Sequence, residues 1–136
     1  MQTKLNCIML IDDNPDDNFF HEREINKSDS KIVVIKKNSA VAALEYLKNN
    51  RDEAFKLPDL ILLDINMDGM DGWEFLKEYD LLAKELQSKV VITMLTTSEN
   101  SDDMNQAKSE DSVSDFITKP LTKTIMNKII AKHFNM

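Results

Sequence analysis

The stretch Leu60-Ile-Leu-Leu-Asp64 constrains this chain more than any other. Four apolar residues run directly into an aspartate, and Met67-Asp-Gly-Met-Asp-Gly72 then breaks the pattern. A short, unbroken apolar run between turn residues fits a strand covered on both faces, as at the centre of a parallel sheet flanked by helices. In open sheets of that kind, ligands bind beyond the carboxyl ends of the strands. Asp64 is therefore expected at a strand mouth, where chemistry takes place.

The flanking sequence repeats the plan. Leu5 to Ile11 reads as a first buried strand that stops at Asp12-Asp13-Asn14-Pro15. Asn14 suits a helix N-cap, Pro15 the first helical position, and Asp16 and Asp17 the positive end of the helix dipole. A helix is expected from there to about Asn26. Its large apolar residues are only Phe19, Phe20 and Ile25. Adjacent helix positions point about 100° apart, so one phenylalanine of the pair is expected half exposed. Lys31–Lys36 reads as a second strand from its β-branched content. Ser39 caps a helix to about Asn49, and a polar connection ends at Pro58. After the central strand, Asp59 to Asp64, the spacing of Phe75, Leu76, Tyr79, Leu82, Ala83 and Leu86 predicts a helix over 72–87. Lys89–Leu95 is a fourth strand, Ser98–Lys108 a weakly apolar helix and Ser114–Thr118 a short fifth strand. A last helix is expected over Thr122–His133, with Ile125, Ile129 and Ile130 inward.

Strand and helix thus alternate five times with short connections. That pattern implies an α/β, doubly wound, five-stranded parallel sheet with helices on both faces. At 136 residues the chain is expected to be one domain. Its net charge of −7 argues against nucleic-acid or anionic-membrane surfaces, which select clustered cations. The single cysteine, Cys7, sits in an apolar run, where it suits core filling and a cytoplasmic setting. No segment reads as a signal or membrane helix. With only Gly69 and Gly72 in the chain, a glycine-rich phosphate loop is excluded. Trp73 is expected to pack, and His21 and His133 to lie at the surface.

The acids and their partners fall together at strand ends. Asp12 and Asp13 end the first strand, Asp64 the third, Thr96 follows the fourth and Lys119 the fifth. Each pair of carboxylates held about 4 Å apart repels by roughly 4 kcal/mol at an effective dielectric near 20. A raised pKa or a bound cation must relieve that repulsion. The donor set is all oxygen, which favours Mg²⁺, or Mn²⁺ in its place, over zinc. Lys119 supplies a fixed positive charge, and the Thr96 hydroxyl a hydrogen bond to a phosphoryl oxygen. Asp64 is then placed to attack phosphorus in line as a carboxylate nucleophile.

Five features together resemble the receiver domain of bacterial two-component response regulators. They are the Asp12-Asp13 pair, Asp64 in Leu-Leu-Asp-Ile-Asn-Met, Met70-Asp71-Gly72, Thr96-Thr97 and Lys119-Pro120. The resemblance covers about residues 5–134. It implies a flavodoxin-like fold with strand order 2-1-3-4-5 and five helices. It further implies that Asp64 takes its phosphoryl group from the phosphohistidine of a sensor histidine kinase. Asp13, Asp64 and the backbone carbonyl of Asn66 would ligate Mg²⁺, with Asp12 acting partly through water. Thr96 and Phe116 would form the switch, and Lys119-Pro120 would be cis.

There are departures. Asp68 stands where the family usually has proline, which suggests a more acidic and looser loop. Ser109-Glu-Asp-Ser-Val113 replaces a turn of small residues, and Phe116 stands where tyrosine is common. Asn66 and Ser98 flank the site in the family and tune hydrolysis there.

With no output domain expected, output would come from phosphorylation-dependent binding of another protein. The face formed by the helix at 98–108, the fifth strand and the last helix would change, and Phe19 or its neighbours would touch the kinase. Alternatives are a phosphorelay shuttle to a histidine phosphotransfer protein and an unphosphorylated interaction module. A small phosphatase is disfavoured, since Asn66 stands where its second acid would be. Homodimerisation is left open.

Overall fold

A computed structural model describes residues 4–48, 57–82, 91–96, 105–106, 108–109 and 113–134. The strands are β1 (Cys7–Ile11), β2 (Val33–Lys37), β3 (Leu60–Asp64), β4 (Val91–Thr96) and β5 (Val113–Thr118). Among the described residues, the continuous helices are α1 (Pro15–Ser28), α2 (Ala40–Lys48), α3 (Gly72–Asp80) and, at the carboxyl end, α4 (Lys123–His133). All strand pairs are parallel, in the order β2-β1-β3-β4-β5. The helix expected over 98–108 falls mostly outside the described residues; 105–106 and 108–109 are helical.

The two-residue period of the strands divides the core. Met9, Ile11, Ile61 and Leu63 point to one face and pack with Ala43, Leu44 and Leu47 of α2 and Phe75, Leu76 and Tyr79 of α3. Ile8, Leu10, Leu60 and Leu62 point to the other, against Ile25 of α1 and Met126 and Ile129 of α4. Every residue of β1 and β3 is buried, as the unbroken apolar runs require. Cys7 is part of this interior. Trp73 is partly buried against the α2–α3 cluster.

Caps fix where the helices begin. The Asn14 side chain accepts from the amides of Asp16 and Asp17, and Pro15 starts α1. Ser39 Oγ accepts from Ala42 N at 3.0 Å, and Thr122 caps α4. Asp71 and Glu74 form a reciprocal capping box at the start of α3. Asp71→Ala is expected to cost about 1 kcal/mol, read as a lower urea midpoint with an unchanged slope.

Several expectations need correction. His21 is buried, at 2% exposure, although the sequence suggested a surface position. The inward stripe of α1 is Asn18, His21, Glu24 and Ile25, so polar residues occupy positions normally held by apolar ones. Phe19 and Phe20 both face outward, at 63% and 39% exposure, rather than one of them half exposed. His133 is half-hidden beside Asp115, with Nε2 3.4 Å from its carboxylate. β2 starts at Val33 rather than Lys31 because Asp29 turns the chain, accepting from Lys31 N through its side chain and Ile32 N through its carbonyl. α3 stops at Asp80 with Leu81 as its C-cap, and 83–87 lie outside the described residues. On α4, Met126 and Ile129 are buried, whereas Ile125 and Ile130 pack only partly inward.

Candidate functional site

Parallel strands deliver the sequence-predicted residues to one end of the sheet. Asp12 directly follows β1, and its amide donates to Lys37 O at 3.1 Å, extending the β1–β2 ladder by one bond. Asp64 is the last residue of β3, and Lys119 follows β5. Asp12 and Asp64 are buried, while Asp13 is exposed at the rim. Carboxylate oxygens of Asp12, Asp13 and Asp64 all lie within 4.8 Å of one another. That spacing and the all-oxygen chemistry fit a divalent hard cation.

Lys119 anchors the cluster. Its Nζ donates to Asp12 Oδ2 at 2.6 Å and to Asp17 Oδ2 at 2.9 Å, and lies 3.5 Å from Asp64 Oδ1. Its side chain is only 9% exposed. The Lys119–Pro120 peptide is cis. Sequence reasoning placed Lys119 in the site but assigned Asp17 only to the helix dipole. No local signal revealed a pairing across 102 positions.

Burial pushes the Asp64 carboxyl up to about 6, with the Asp12 charge adding to the effect and Lys119 opposing it. Burial alone would lower Lys119; its hydrogen bonds to Asp12 and Asp17, with the Asp64 charge, outweigh it and hold the ammonium above the usual lysine range. Burial, and then the Lys119 charge, depress His21 and favour its neutral form.

The loop after β3 is tied at its middle and closed across its ends. Asp68 N donates to Asp13 Oδ2 at 3.0 Å, and Gly72 N to Ile65 O at 2.9 Å. Gly69 has φ of 76°, a left-handed turn that glycine adopts without steric cost. The loop made acidic by Asp68 is therefore held to the acid cluster through its backbone. Asn66 is exposed at its start. Thr96 ends β4, one residue beyond Leu95, the register partner of Asp64. Its side chain, and Ser98, lie outside the described residues. Phe116 on β5 is partly buried against the α2–α3 cluster.

A model of the response regulator receiver domain matches residues 8–131. The chain belongs to the response regulator receiver family. The receiver is 31% identical over 124 residues to the two-component response regulator ARR5 of Arabidopsis thaliana, a match covering 87% of this chain and 65% of that protein. It thus spans less than two thirds of that relative's length. Among solved structures, a two-component response regulator from Cytophaga hutchinsonii superposes with a TM-score of 0.84 at 28% identity, covering 95% of this chain and 96% of that one. A response regulator receiver protein from Dyadobacter fermentans gives 0.82 at 25% identity, covering 96% and 98%. This chain is therefore a two-component signalling receiver with the α/β receiver fold and an acidic pocket of Asp12, Asp13 and Asp64 beside Lys119. Among the described residues, no helix is long and apolar enough to cross a membrane.

Proposed function

We propose that Asp64 is the phosphoacceptor of this receiver and that a sensor histidine kinase is its donor. The observation that carries this is the pairing of a buried carboxylate at the end of β3 with a buried ammonium 3.5 Å away, within an acid triad. In the transfer, an Asp64 oxygen forms a bond to phosphorus as the bond from phosphorus to the donor's histidine nitrogen breaks. The imidazole leaves with the electron pair and gains a proton. Lys119 offers a proton of its ammonium to the phosphoryl oxygens, and the Thr96 hydroxyl is assigned the same role.

Mg²⁺, or Mn²⁺ in its place, fits the donor set. Asp13, Asp64 and the Asn66 backbone carbonyl would hold it, with Asp12 acting through water. Both Asp12 oxygens already accept hydrogen bonds, from Asn14 N at 3.0 Å and from Lys119. A cation bound there would supply positive charge to offset the acids and the incoming phosphoryl group. Asp13→Ala is expected to weaken Mg²⁺ binding by more than about tenfold in calorimetric titration, since even outer-shell partners contribute that much.

Output would come through Thr96 and Phe116, switching affinity for a downstream protein or a histidine phosphotransfer protein. The same reading places residues 5–134 in one cytoplasmic receiver domain with five helices, the helix at 98–108 among them. Helical residues at 105–106 and 108–109 support that count. Borohydride reduction of the phosphorylated protein, followed by peptide mapping, tests the assignment. Hydride converts an aspartyl phosphate to homoserine, expected at position 64. Homoserine at position 12 or 13 would refute it.

A further inference from the structure

Asp17 lies in the first turn of α1, outside the triad of Asp12, Asp13 and Asp64. We propose that Asp17 is a positioning residue for phosphoryl transfer, holding the Lys119 ammonium so that its remaining proton faces the reacting oxygens of Asp64. The inference rests on Asp64 being the acceptor.

A lysine ammonium carries three N–H donors in a tetrahedral array. Asp12 takes one at 2.6 Å and Asp17 a second at 2.9 Å. Two fixed directions determine the third. The nearest Asp64 oxygen is 3.5 Å from Nζ, beyond the roughly 2.7–2.9 Å of a charge-assisted hydrogen bond. The third proton is therefore not committed to Asp64 and is available to a phosphoryl oxygen placed there. With Asp12 alone, the ammonium could rotate about that single bond on a flexible four-carbon stem. At 9% exposure, the Lys119 side chain has little water to take over the anchoring role.

The start of α1 grips the site in two places. Asn18, turned about 100° from Asp17 around the helix, donates through Nδ2 to the Asp12 carbonyl at 3.0 Å. Asp17 reaches Lys119, across from β5. Asp16 and Asp17 both favour the helix dipole, yet of these two only Asp17 pairs with Lys119. Dipole stabilisation therefore does not account for where the Asp17 carboxylate is directed.

The test is the rate of phosphoryl uptake from acetyl phosphate at saturating Mg²⁺, for wild type, Asp17→Ala and Asp17→Glu. Asp17→Ala is expected to lower the maximal rate about tenfold, as misplaced groups do, while half-saturating acetyl phosphate and Mg²⁺ affinity stay within about twofold. Asp17→Glu restores a carboxylate and is expected to recover most of the rate. The ¹⁵N signal of the Lys119 ammonium should move in Asp17→Ala and return in Asp17→Glu. A purely structural role would lower thermal stability without separating maximal rate from half-saturation. An Asp17→Ala maximal rate within about twofold of wild type, or above it, overturns the inference. So does a loss that Asp17→Glu leaves uncorrected. Wild type that takes up no phosphoryl group would instead overturn the acceptor assignment, and the positioning role with it.

Discussion

Lys119→Ala is expected to slow phosphoryl uptake by about 10²–10³-fold, the range seen when one preorganised donor to a developing oxyanion is removed. The same substitution should destabilise the metal-free protein by roughly 3–5 kcal/mol near neutral pH, the cost of leaving buried charge unpaired. Both effects have one origin. Asp12, Asp17 and Asp64 converge on a single ammonium whose side chain is 9% exposed. Without it, Asp12 and Asp64 face each other in the interior with no other cationic side chain paired to them among the described residues. Saturating Mg²⁺ should restore much of the stability by neutralising the acids, but little of the rate, because the proton offered to the phosphoryl oxygens is gone. Lys119→Arg keeps the charge but not the compact ammonium, and should recover stability more than rate. Equal recovery of stability and rate by Mg²⁺ would show that Lys119 acts only as a counter-charge. The measurements are uptake rates and urea midpoints in EDTA and in Mg²⁺.

Asp64→Asn should make the metal-free protein more stable, by up to about 3 kcal/mol above pH 6. The carboxyl is displaced upward from 3.8 to about 6, first by burial and then by Asp12. An acid with a raised pKa binds its proton more tightly in the folded state. Between about pH 4 and pH 6 the wild type therefore loses stability as pH rises, and above pH 6 the full penalty of the buried charge is present. Asparagine carries no such penalty. The gap between the two proteins should close below about pH 4 and shrink in saturating Mg²⁺. Melting temperatures of both proteins from pH 4 to 8 in EDTA check this. A gap independent of pH would mean that burial does not raise the Asp64 carboxyl in the metal-free fold.

These effects depend on features of unequal visibility in the chain. β1 and β3 were legible because strands buried on both faces leave unbroken apolar runs, here Cys7–Ile11 and Leu60–Leu63. The starts of α1 and α3 were marked by Asn14-Pro15 and Asp71. The strand-end acids and Lys119 could be placed together because parallel strands bring their carboxyl ends to one edge. Strand order 2-1-3-4-5 came from the family resemblance, since alternation alone does not set it. The inner face of α1 was hidden. Asn18, His21 and Glu24 occupy buried positions, and part of what holds Glu24 there is remote in sequence. Glu24 accepts from Lys123 N at 3.1 Å, joining α1 to the start of α4. The Asp17–Lys119 bond was hidden for the same reason. Local sequence supplies helix-dipole logic for Asp17, but not the direction of its carboxylate.

The most direct test of the account is intact mass after incubation with acetyl phosphate, with and without Mg²⁺, on wild type and Asp64→Asn. Wild type is expected to gain one phosphoryl group in Mg²⁺, and none when either Mg²⁺ or the Asp64 carboxylate is removed. Undiminished addition to Asp64→Asn, or addition to wild type in EDTA, would contradict it.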